Sequence, residues 1–140
     1  MLPTLAEYEG LVYGLPDAFP TIRRSTLVVI RHGPAFAEVT GEIEFAHDIV
    51  LHVWEDLNFA RRVIQGYSYA VSRGDERLYW YDPQPHPDEP TLAKTFPHHK
   101  HVPPEIKRHR VPAPGIQFDA PNLPWLIEEI QREILAPARQ

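Results

Sequence analysis

The stretch "GYSYAVSRGDERLYWYD", Gly66 to Asp82, decides the fold. Its halves, "GYSYAVSRG" and "RLYWYD", are strand-like runs separated by Arg73-Gly74-Asp75, the chemistry of a tight turn. Together they predict a β-hairpin. Tyr67, Tyr69, Tyr79, Trp80 and Tyr81 dominate the pair. Aromatic residues at alternate strand positions usually pack a core or pair across strands.

Working upstream, more segments carry the period of two. "DIVLHVWEDL" sends Ile49, Leu51 and Val53 one way and Val50, His52 and Trp54 the other. Glu55 and Asp56, at its end, read as solvated. "AEVTGEIEF" alternates through Val39, Ile43 and Phe45, and "STLVVIRHG" is β-branched and closes on Gly-Pro. "DLNFARRVI" fits either a helical turn or the start of the next strand, and Arg61-Arg62 reads as an exposed charged face. Connections this short favour an antiparallel meander. Before the sheet, Leu5, Tyr8, Leu11, Val12 and Leu15 fall at helical spacing, with Pro16 and Pro20 expected to end that helix.

Downstream of Asp82 the composition changes. Eleven of the sixteen prolines lie between Pro83 and Pro124, which excludes a helix or a central strand over most of that length. An extended segment crossing the sheet is expected, with "TFPHHKHV" the piece most able to pair as an edge strand. "PNLPWLIEEIQREIL" then reads as an amphipathic helix, with Trp125, Ile127, Ile130, Ile134 and Leu135 available for burial. The fold class is α+β, an antiparallel sheet flanked by an N-terminal and a C-terminal helix. Residues 1–140 read as one domain: helix within 1–20, sheet over 25–82, a Pro/His-rich extended segment over 83–120, and helix over 121–136.

Bulk composition narrows the function. Cysteine is absent, which removes disulfides, thiolate metal sites and cysteine nucleophiles. A net charge of −5 argues against coating nucleic acid through bulk charge. The first twenty residues carry acids and no base, unlike a signal peptide, and no apolar run approaches a membrane span. A cytoplasmic location is the expectation. Against the acidic background, residues 95–110 hold Lys100, Lys107, Arg108 and Arg110 with only Glu105 opposing them. Such a strip suits a local anionic ligand.

Within the strip, "TFPHHKHVPPE" concentrates His98, His99 and His101 around Lys100. An extended backbone would project His99 and His101 to one face, and His98 and Lys100 to the other. Three readings are open. Two imidazoles at i and i+2 can chelate zinc or another divalent metal, with His86, Asp82 or Glu55 completing the set. They can instead work without cofactor as an acid–base pair near neutral pH, as RNA transesterification requires. Lys100, Lys107 and Arg108 would then meet phosphate charge, and Tyr67, Tyr69, Trp80 and Tyr81 would stack bases. Finally, the cluster can be plain surface polarity, with Asp82 before Pro83 a turn residue.

The span Tyr67–Glu105 resembles the TumE-like family of toxin components of toxin–antitoxin pairs. The resemblance is carried by Tyr67, Tyr69, Tyr81, Asp82, Pro85, His86, Thr95, Phe96, Pro97, His98, His99 and His101. Upstream, "GEIEF…IVLHVWEDL" is similar to the family's strand pair ending in a glutamate, here Glu55. "PNLPWLIEEI" is similar to its closing helix. The chain departs from the pattern at Trp80, where an arginine is common nearby, and in "DPQPHP", with Pro83 and Pro87. The resemblance implies growth inhibition restrained by a cognate antitoxin. The chemistry expected from the residues themselves is a metal-independent ribonuclease. His99 and His101 form the acid–base pair, His98 and His86 position substrate, Lys100 neutralises phosphate, and Asp82 orients an imidazole. A metal-dependent hydrolase, or a binding module using Lys107 and Arg108 on a protein or nucleic acid, are the alternatives.

Overall fold

Period-two alternation organises the chain in the computed structural model, which describes residues 1–83, 98–102, 110–113 and 115–136, with backbone alone at 99 and 110–112. His86, Pro87, Lys107 and Arg108, with most of the segment 83–120, lie outside the described residues. The strands are β1 (Arg24–Ser25), β2 (Val28–Arg31), β3 (Phe36–Glu44), β4 (Ile49–Asn58), β5 (Val63–Arg73), β6 (Glu76–Asp82), β7 (His99–His101) and β8 (Arg110–Pro112). They form one antiparallel sheet in the order β1-β3-β4-β5-β6-β7-β8, with β2 pairing beside β1 along β3. Helix α1 (Leu5–Ala18) precedes the sheet and α2 (Leu123–Ile130) follows it, continued by a π-helical turn over Gln131–Leu135. The class is α+β, an antiparallel sheet with a helix at each end of the chain. Among the described residues no helix is long and apolar enough to cross a membrane.

Local chemistry explains the elements. Thr4 and Glu7 form a reciprocal capping box at the start of α1, with bonds of 2.9 and 3.2 Å. The helix runs past Pro16 to Ala18, contrary to the expectation that Pro16 ends it. A proline this close to the C-terminus forfeits one hydrogen bond, while buried Leu15 holds the turn on the sheet and accepts from Phe19 N–H. The β3–β4 connection turns on His47 and Asp48, both left-handed (φ 62° and 60°), a backbone that matches a tight turn to the twist of its strands. "DLNFARRVI" resolves into the end of β4, a turn and the start of β5.

One face of the sheet is covered. Ile43, Ile49, Leu51, Leu57, Ile64 and Val71 share it with Tyr8, Val12 and Leu15 of α1 and Leu123, Leu126, Ile127 and Ile130 of α2 in one core. Of the α2 residues expected to pack, Ile127, Ile130 and Leu135 are buried, while Trp125 and Ile134 are half-buried against the core. Bulges beside Asp56/Leu57 and Val71/Ser72 shift the pairing without breaking the inward phase of Glu55, Tyr67, Tyr69 and Tyr79. The piece expected as an edge strand lies inside the sheet: β7 pairs with β6 and with β8. Pro112 explains why β8 can be outermost, because an edge residue need not donate to a ladder.

Gly41 is where the β1–β2 strand crosses β3 most closely. Its φ is 137°, and a Cβ there would lie 2.6 Å from the Thr26 carbonyl oxygen. Backbone strain of this kind costs about 1–3 kcal/mol before the clash is counted. Gly41→Ala should therefore lower the urea midpoint by at least that equivalent with the slope unchanged. An unshifted midpoint would show that β1 and β2 do not pack as described.

Candidate functional site

The covered face carries polar groups as well as apolar ones. Glu55 continues the inward series Ile49, Leu51, Val53 and is fully buried. The expectation that it is solvated was wrong: the strand's period carries it beneath α1 and α2. Tyr8 O–H of α1 donates to Glu55 Oε1 at 2.6 Å, and Tyr69 O–H donates to Oε2. Asn122, just before α2, donates through Nδ2 to the Tyr69 hydroxyl oxygen (3.2 Å) and to the Gln117 carbonyl (2.9 Å). Burial pushes the Glu55 carboxyl above the usual carboxylate range, against the downward pull of the Tyr69 and Tyr8 hydrogen bonds.

A second inward group lies nearer β7. Tyr81 O–H donates to Glu129 of α2, whose Oε2 also accepts from Lys100 Nζ at 3.1 Å. The Lys100 ammonium sits 4.1 Å from the Tyr79 ring centre and 5.3 Å from that of Tyr81. The side chains of Lys100 and Glu129 retain 20% and 8% exposure. Carboxylate and ring faces together hold this cation at the sheet surface. Burial, then Glu129, raises the Tyr81 hydroxyl far above its ordinary range, so it stays a donor.

At the far end of β6, Asp82 joins the two faces. On the open face, Asp82 Oδ2 is 3.3 Å from His101 Nε2 and accepts from Trp80 Nε1–H at 3.3 Å. The His101 ring stacks on Trp80 with centroids 4.2 Å apart, and the Arg77 guanidinium lies 5.1 Å from the Trp80 ring centre. On the covered face, Tyr67 O–H bonds His98 Nδ1 at 2.6 Å, and His98 packs 4.4 Å from the Phe118 ring. Burial first, and then the charge of Asp82, raises the Tyr67 hydroxyl well above its ordinary range. Asp82 is therefore electrostatically felt from both sides.

The strand splits the histidine cluster as its period predicts. Register puts Lys100 opposite Tyr81 and Val111, while His99 faces Asp82 and His101 faces Trp80 across the ladder. Asp82 and His101 come together, as do Tyr67 and His98, whereas Lys100 points to Glu129 instead of toward His101. Tyr67, Tyr69 and Tyr81 are 2%, 0% and 1% exposed, so their rings are core and their hydroxyls are what they offer. The His99 ring, His86, Lys107 and Arg108 lie outside the described residues. Among the described residues, no three His, Asp or Glu side chains gather closely enough to hold a metal ion. Sequence reasoning missed Tyr8, Asn122 and Glu129. Glu55 was within reach, since it keeps step with Ile49, Leu51 and Val53, but nothing in "WLIEEI" tells Glu129 from solvent-facing Glu128.

Two outcomes follow. A carboxyl raised in the folded state keeps its proton to higher pH there than in the unfolded chain. The stability it contributes is full below the ordinary value near 4.5 and declines as pH rises through the folded-state value. Glu55→Gln removes the titration while keeping the shape. Its urea stability should fall less than that of the wild type across this window, the gap widening by about 1.4 kcal/mol per pH unit. Parallel profiles would sink the assignment. For His98, a donating Tyr67 hydroxyl at Nδ1 leaves the neutral ring's proton on Nε2. Nitrogen-15 NMR should show that tautomer in the wild type and a mixture in Tyr67→Phe, and an Nδ1-protonated wild-type ring would show that the imidazole, not the tyrosine, is the donor.

Searches of curated proteins and of solved structures returned no match. A family model described as Toxin TumE matches residues 15–134, which take in the end of α1, the whole sheet and α2. That span contains Glu55, Tyr67, Tyr69, Tyr81, Asp82, His98, Lys100, His101 and Glu129. The chain belongs to the TumE toxin family.

Proposed function

We propose that this toxin of a toxin–antitoxin pair inhibits growth by cleaving RNA, using imidazole acid–base chemistry around Asp82. The observation that carries the reading is the Asp82–His101 pair, 3.3 Å apart at the end of β6, with His99 two residues away in the same strand phase. A carboxylate beside an imidazole sets its orientation and favours the protonated ring as it takes a proton. His99 and His101 are the proposed acid–base pair. His86 is the proposed residue that positions the phosphodiester, while His98, fixed by Tyr67 on the covered face, steadies the start of β7.

The Asp82 side chain keeps 19% exposure and His101 only 4%, which favours approach of substrate from the β6 end. Lys100, already held by Glu129, braces β7 against α2 in this reading and meets phosphate only secondarily. No metal takes part in the proposed chemistry. A cognate antitoxin, expected for any member of a toxin family, would restrain the activity.

Purified protein should cleave single-stranded RNA equally with and without EDTA. His101→Ala and His99→Ala should each lower the rate by about 10²–10⁴-fold, the usual contribution of a general acid or base. Cleavage lost to EDTA would move the histidines to a metal. Folded protein that leaves RNA intact would remove the ribonuclease reading and leave a toxin with another target.

A further inference from the structure

The helices cover one face of the sheet, and the other face is uneven. Across β2, β3 and β4 it carries Val28, Ile30, Phe36 and Trp54, which are 43%, 40%, 42% and 39% exposed. Register makes them neighbours: Val28 pairs with Thr40 and Thr40 with Trp54, while Ile30 pairs with Glu38 and Glu38 with Asp56. Trp54 lies along the Cβ-less surface of Gly66 and donates through Nε1 to Glu38 at 3.1 Å. Acids surround this apolar group. Glu38, Glu42 and Asp56 share the face, and Arg24, beside Glu44, is the one arginine or lysine among its β1–β4 register positions.

We infer that this face is the docking surface of the cognate antitoxin, which meets it with a basic amphipathic helix. The inference rests on the toxin reading and adds to it the place and chemistry of the partner. Charge selects the occupant. The acidic rim repels nucleic acid, and a second copy of the chain would oppose Glu38, Glu42 and Asp56 to their own equivalents. A helix with apolar residues on one stripe and lysine or arginine along its margins satisfies both the patch and the rim.

Strand addition at the sheet edge is the other way to recruit a partner, and α1 obstructs it. Val29 N–H of β2 already donates to the Tyr13 hydroxyl at 2.9 Å, and Arg31 is paired with Glu9. The partner therefore lies on this face and not along the β2 edge beside it. Two strand spacings, about 10 Å, separate the β4 row from the β6 row, which is also about the width of a helix. A helix seated on Trp54 reaches the neighbourhood of Trp80 and Asp82, so docking and restraint of the Asp82 site are compatible.

The experiment is isothermal titration calorimetry between the purified chain and the protein encoded by the reading frame next to its gene. Wild type is compared with Ile30→Glu, Trp54→Ala and Glu38→Lys, each checked for an unchanged melting temperature. Ile30→Glu keeps the test open if loss of the Trp54 packing unfolds that variant. Each folded variant should bind at least tenfold more weakly, and wild-type affinity should fall as ionic strength rises. Wild-type binding with all folded variants equally tight, or with no salt dependence, overturns the docking surface while leaving the toxin–antitoxin pair intact. Wild type that fails to bind the partner overturns the pair reading and the surface with it.

Discussion

A buried carboxylate at the middle of the sheet sets the terms for the rest of the molecule. Glu55 has no solvent to hydrate it, so its oxygens must be met by protein donors. Tyr8 reaches it from α1 and Tyr69 from β5, and Asn122, at the start of α2, holds the Tyr69 hydroxyl in turn. The N-terminal helix, the β4–β5 hairpin and the start of α2, far apart in sequence, are thereby fixed around one group. Partial satisfaction of such a network is worse than none, because low dielectric strengthens each bond and raises the penalty for each one missing. The apolar residues around it make the sheet and helices adhere, and the polar chain specifies which side chains meet.

Alternation along β6 and β7 has the corresponding effect on the histidine segment. What looks in the sequence like one cluster is divided by the sheet into two environments, each with its own partner. His98 belongs to the covered side with Tyr67, and His101 to the open side with Asp82 and Trp80. Lys100 is likewise turned toward α2, where Glu129 and two tyrosine rings receive it. Asp82, at the strand end, is sensed from both sides. The polar groups around Asp82 are mounted on strands rather than on loops, which limits how far they can drift from one another.

The two faces divide labour. Helices occupy one and bury Tyr67, Tyr69 and Tyr81, three of the four aromatic residues weighed as base-stacking platforms, while Trp80 lies on the other. The other remains open across β2 to β4, apolar in the centre and acidic around it. The Asp82–His101 pair and the exposed apolar group around Trp54 thus lie on different strands of the sheet.

Much of this was legible in the sequence. Period-two runs through Val39–Phe45, Ile49–Val53 and Tyr67–Tyr81, with short turns between them, determined an antiparallel meander. The 3.6-residue spacings at either end determined helices. Local backbone geometry also determined that His101 and Lys100, neighbours on β7, point to opposite faces, because alternation needs no knowledge of neighbours. Tertiary structure alone decided which face was inside, and so turned Glu55 from a strand-end acid into a buried one. It also decided that β7 runs between β6 and β8, and that Glu129 rather than Glu128 meets Lys100. Those outcomes depend on contacts between residues dozens of positions apart. In a chain fragment both glutamates of "WLIEEI" look alike, and only packing against the sheet tells them apart.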